Sequence, residues 1–103
     1  MKFNEYQEKA HEFALYNDPM YPVASLMVES AELADLFIKP CLRGDLCGID
    51  AEKVKAEAGD VLWNLANILK DYGIRLEDVA EANIAKLTDR KERGVIQGSG
   101  DNR

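Results

Sequence analysis

Residues 51–72 read AEKVKAEAGDVLWNLANILKDY, and their spacing decides the fold class. At about 100° per residue, Lys53, Glu57, Asp60, Asn64, Asn67 and Asp71 fall on one stripe,. Val54, Ala58, Val61, Leu62, Leu65 and Leu69 fill the adjoining apolar face. That period belongs to a helix packed on one side. Asp50 stands where an N-cap is needed, with Ile49 and Val54 placed as a hydrophobic staple,. Gly73 suits the C-terminal stop,.

The flanking segments carry the same signature. Ala, Leu, Glu and Lys dominate, and no long stretch alternates with period two,. A first helix is expected from Asn4 to about Tyr16, with Asn4 as N-cap and Gln7 as its capping-box partner,. A second is expected from about Pro22 to Lys39, ended by Pro40,. A fourth spans about Leu76 to Glu92, with Leu76, Ala80, Ile84 and Leu87 as its apolar stripe. The fold class is therefore all-α: an antiparallel bundle of about four helices in a single domain, residues 1–103,. The Gly-rich end GVIQGSGDNR, residues 94–103, is expected to be flexible,. The second helix is apolar on two sides, which points to a homo-oligomer, a dimer or tetramer, that completes the bundle,.

Composition narrows the function. A net charge of -6 disfavours general binding to nucleic-acid backbones or anionic membranes,. No basic-then-apolar leader opens the chain and no run nears about 18 apolar residues, so a cytoplasmic protein is expected,. Cys41 and Cys47 lack companions at metal-binding spacing and read as reduced thiols,. There is no GxxxxGK phosphate loop and no GxSxG elbow,. The one histidine, His11, has no evident nucleophile partner, so covalent triad chemistry is unsupported,.

The acids carry the chemistry. Glu29 and Glu32 lie one turn apart on the second helix, Glu57 and Asp60 on the third,. No Lys or Arg occurs between Lys9 and Lys39 to face the first pair. Two carboxylates about 5 Å apart repel by about 3 kcal/mol at an effective dielectric near 20. A hard divalent cation relieves that repulsion, and Mg²⁺ or Mn²⁺ suits an all-oxygen donor set. Such a cation keeps positions open for water and phosphate oxygens. Lys86, Arg90 and Arg93 on the fourth helix could hold further phosphate charge,. A solvated acidic helix face is the plain alternative for the acids, and favourable charge near a helix C-terminus for the bases. His11, Phe13, Tyr16 and Asn17 could line a base pocket and Trp63 could stack on a base, although a packed core explains the aromatics equally well,.

At these residues the chain resembles the MazG-like nucleotide pyrophosphohydrolases of the all-α NTP pyrophosphatase superfamily. The signature ExxE, spacer, ExxD is met by Glu29-x-x-Glu32 and Glu57-x-x-Asp60; GDVLWNLANIL and the NxxKxxxR pattern at Asn83, Lys86 and Arg90 also fit. Many relatives carry a further Glu where this chain has Val28. The resemblance implies hydrolysis of a nucleoside triphosphate to monophosphate and pyrophosphate. It implies Mg²⁺ held by Glu29, Glu32, Glu57 and Asp60, phosphate contacts from Lys86 and Arg90, and support from Asn83. Lys39, at the end of the acidic stripe, is a further phosphate candidate. A phosphoribosyl-ATP pyrophosphohydrolase and a non-enzymatic helical binding module are the alternatives.

Overall fold

A computed structural model describes residues 1–103. The chain is all-helical: α1 (Phe3–His11), α2 (Met20–Leu42), α3 (Ala51–Asp71) and α4 (Leu76–Glu92), with a 3₁₀ turn at Leu46–Gly48. No helix is long and apolar enough to cross a membrane. Cys41 and Cys47 are exposed free thiols.

The periodic reading of α3 holds at both ends. Asp50 caps it, accepting from the Glu52 and Lys53 N–H groups. Gly73 ends it at φ 78°, where its N–H reaches the Lys70 carbonyl and that of Ile74 reaches Leu69,.

Three boundary expectations need correction. The stop of α2 is not Pro40; the helix runs on to Leu42. Gly44 ends it instead at φ 71°, with Gly44 N–H on Cys41 O and Asp45 N–H on Pro40 O. Pro40 forfeits one N–H bond in the last turn, and its carbonyl anchors that closure,. The helix α1 ends at His11, short of Tyr16. Beyond it the Phe13 and Ala14 N–H groups bond three residues back, to Ala10 and His11, and the chain tightens into turns,.

The third correction concerns Asn4 and Gln7. Asn4 does not cap its own helix; Lys2 holds that position. Asn4 Oδ1 accepts from the Glu77 N–H at 3.1 Å, and Gln7 Oε1 accepts from the Leu76 N–H at 3.0 Å. The pair therefore caps α4, whose own N-cap residue Arg75 makes no side-chain cap bond. Gln7 Nε2 also donates to the carbonyls of Ala66 and Ile74. A capping-box spacing shows that acceptors lie one turn apart, but the orphan donors they find need not belong to the same helix.

Packing is uneven along the protomer. The α2–α3 hairpin is its longest interface; α1 packs on α3 and α4, and α2 touches neither α1 nor α4. The hydrophobic core centres on the buried Ala10, Ala66 and Leu76, with Tyr6, Leu62, Trp63, Leu65 and Leu69 packed against them. The radius of gyration is 16.5 Å, whereas a compact chain of about 100 residues has about 13 Å. Met27, Val28, Phe37 and Ile38 on α2 face outward and are exposed.

Candidate active site

The α2–α3 interface brings three of the four expected acids together. Ligand oxygens of Glu29, Glu57 and Asp60 all lie within 4.8 Å of one another. Glu29 and Glu57 are half-buried, and Asp60 is exposed. Glu32 is exposed one turn along α2 and lies outside that triplet, although its carboxylate acts on Glu29. Partial burial, followed by the Glu32, Glu57 and Asp60 carboxylates, pushes the Glu29 carboxyl up to about 7,.

Two buried oxygens in this cluster, Glu29 Oε2 and Glu57 Oε2, have no hydrogen-bond partner. Asn64 Oδ1, one turn past Asp60, is also buried without one. Orphaned buried acceptors are costly unless something positive meets them. The donors are all oxygen, with neither imidazole nor thiolate among them. The acidic cluster is thus a fit for a hard divalent metal ion.

The stripe of α3 beyond the acids is satisfied largely by the N-terminal segment. The Tyr6 hydroxyl titrates higher than usual, through burial and then the charge of Asp60. His11 Nδ1 is paired with Asn67 Oδ1 at 3.0 Å. Tyr16 donates to Asp71, and its phenol is raised by burial and by that bond. Trp63 donates its indole N–H to the Ala10 carbonyl at 3.1 Å.

Next to the acids, the same segment builds an open cavity of ≈ 530 Å³ lined by Phe13, Leu15, Tyr16, Asn17, Asp18, Tyr21 and Trp63. Tyr16 stacks on Tyr21 at 5.6 Å and meets Trp63 edge-on at 6.3 Å,. Phe13, Tyr16, Asn17 and Trp63 were legible as aromatic or polar candidates; His11 is turned to Asn67 and does not line the cavity. Tyr21 was missed, because it precedes Pro22, where the second helix is expected to begin, and reads as part of the break. Tyr6 and Asn64 were also missed, since nothing in their spacing shows which of them faces an acid.

The expected phosphate contacts are scattered. Lys39 pairs with Asp35 at 2.7 Å, well exposed toward the connector end of α2. Asn83 is exposed beside Lys86 in a shallow cavity on α4. Lys86 Nζ lies 3.1 Å from Asp101 Oδ1. The buried Arg90 guanidinium donates to the Asp101 carbonyl at 2.7 Å and to its carboxylate at 3.2 Å. Those two cations hold the Asp101 carboxyl below its usual range. Arg103 folds the tail further, donating to the carbonyls of Val95, Ile96 and Gly100. Because α4 does not touch α2, this basic group is carried apart from Glu29 within one protomer.

Comparison with known proteins follows the same residues. The model of the MazG nucleotide pyrophosphohydrolase domain matches residues 21–95, from the start of α2 to just past α4. The chain is also 40% identical over 86 residues to the Gene 37 protein of Mycobacterium phage L5, covering 81% of this chain and 75% of that one. No solved structure matches the chain.

Proposed function

This chain belongs to the MazG nucleotide pyrophosphohydrolase family, and from that premise we propose that it hydrolyses nucleoside triphosphates, in ribo or deoxy form, to monophosphate and pyrophosphate with Mg²⁺. The observation that carries the proposal is the convergence of Glu29, Glu57 and Asp60, with buried acceptor oxygens that no protein donor satisfies.

In this reading Glu29, Glu57 and Asp60 hold the cation, with Glu32 beside them. The cation supplies charge neutralisation for phosphate oxygens and a lowered pKa for water near it. Glu32 lies outside the triplet and is exposed, and in this reading it orients the attacking water and accepts its proton. Water adds to phosphorus, the anhydride bond between the first and second phosphates breaks, and pyrophosphate leaves. Tyr16, Tyr21 and Trp63 stack on the base,.

The working unit in this proposal is a homodimer or homotetramer. Its support is the exposed apolar side of α2 and the open shape of the protomer,. Asn83, Lys86 and Arg90 then contact phosphates in the site of a neighbouring copy. The free thiols Cys41 and Cys47 suit a reducing cytoplasm,.

The test is a panel of NTPs and dNTPs with Mg²⁺, scored for pyrophosphate release. Glu57→Gln and Asp60→Asn abolish turnover while far-ultraviolet circular dichroism stays unchanged. Full activity in both variants, or release of orthophosphate alone, would refute the proposal.

A further inference from the structure

The seam between α2 and α3 does not end at the acids. Toward the connector it opens into a cavity of ≈ 210 Å³ lined by Asp35, Leu36, Lys39, Pro40, Arg43, Gly48, Asp50 and Lys53. Its lining holds one apolar residue and three cations, Lys39, Arg43 and Lys53. Lys39 is engaged by Asp35. Asp50 is engaged as the cap of α3. Arg43 and Lys53 form no ion pair and donate no side-chain hydrogen bond; the bond Lys53 makes to Asp50 comes from its backbone.

Position gives those two cations meaning. Lys53 stands four residues before Glu57 on the same face of α3, about 6 Å along the axis,. Asp35 and Lys39 continue the stripe of Glu32 one and two turns on. Along the seam the order is therefore aromatic cavity, acid triplet, cationic cavity. A nucleoside triphosphate presents base, metal-bridged phosphates and terminal phosphates in that same order. Lys86 and Arg90 are held by Asp101 on a helix that α2 does not touch. Arg43 and Lys53, by contrast, line the α2–α3 seam itself with no carboxylate engaging them.

We propose that Arg43 and Lys53, with Lys39, form the subsite for the departing pyrophosphate, so that the terminal phosphates point to the α2–α3 connector and the base to Trp63. This orientation rests on the pyrophosphohydrolase reading above. A planar guanidinium and two ammonium groups recognise phosphate oxygens by charge-assisted hydrogen bonds.

The experiment is equilibrium dialysis of labelled inorganic pyrophosphate at fixed free Mg²⁺, comparing the wild type with Arg43→Gln/Lys53→Gln. Both side chains are exposed, so the double variant is expected to fold. Pyrophosphate binding should weaken at least about tenfold, while Mn²⁺ affinity without pyrophosphate stays within about twofold. Lys53→Glu should weaken it further. Unchanged pyrophosphate binding in the double variant overturns the subsite, as does a wild type that hydrolyses triphosphates yet does not bind pyrophosphate. Failure of the reaction itself is read separately, from wild-type pyrophosphate release on the triphosphate panel.

Discussion

Metal binding to the acid triplet must displace a proton. With the Glu29 carboxyl at about 7 in the metal-free protein, that group carries about 0.9 proton at pH 6 and about 0.1 at pH 8. Only the ionised form ligates, so apparent metal affinity should fall about tenfold from pH 8 to pH 6. The same shift has a sign for stability. An acid raised above its unfolded value of 4.5 binds more protons folded than unfolded, so its contribution is fully present below about pH 4.5 and is lost as pH rises toward about 7. The metal-free protein should therefore lose stability across that window, and saturating Mg²⁺ should restore it at pH 8. Calorimetric titration with Mn²⁺ at pH 6, 7 and 8, in buffers of different ionisation enthalpy, reads both affinity and proton release. Glu29→Gln should bind more weakly and with a flat pH profile. Wild-type affinity that is equal at pH 6 and pH 8, with no proton released at pH 6, would refute the coupling between the carboxylates.

Other outcomes follow from the same geometry. Glu32→Gln should lower kcat at least about a hundredfold with Mn²⁺ affinity nearly intact, as expected of a proton acceptor outside the ligand triplet; a pure loss of metal affinity would make it a ligand instead. The single Trp63 borders the aromatic cavity, so nucleoside monophosphate should change its fluorescence saturably, and a flat titration would remove the base from that cavity. If a second copy covers the apolar side of α2, the thermal midpoint should rise about 3–5 °C per tenfold increase in protein concentration. A concentration-independent midpoint would assign the protomer its stability alone.

The helical class and the acids were open to sequence reading because both are local properties. A 3.6-residue period reports which residues share a face of their own helix, and it placed Glu57, Asp60 and Asn64 correctly on one stripe of α3. It does not report what lies opposite. Glu32 shares the stripe of Glu29, yet only Glu29 joins the two acids of α3 in the triplet. The Asn4–Gln7 pair was recognised as a cap but credited to the wrong helix, since its donors lie about seventy residues away,. Pro40 reads as a stop because proline disfavours helix interiors; in the last turn it loses little, and Gly44 decides the terminus. The role of the tail was equally hidden, because the Asp101–Arg90 bond depends on how residues 94–100 turn.

The bonds of Gln7 reach further than a helix cap. One amide side chain ties the carbonyls of Ala66 and Ile74 to the N–H of Leu76. The nine-residue α1 is too short to persist alone in water,, so it keeps its shape only while docked. Its release would at once strand the first turn of α4 and uncover the seat of Trp63 against Ala10. Native-state amide exchange should accordingly find α1 and the start of α4 opening as one cooperative unit, with the α2–α3 hairpin persisting. The wall of the aromatic cavity would then come and go as a latch at the amino-terminal end of the chain.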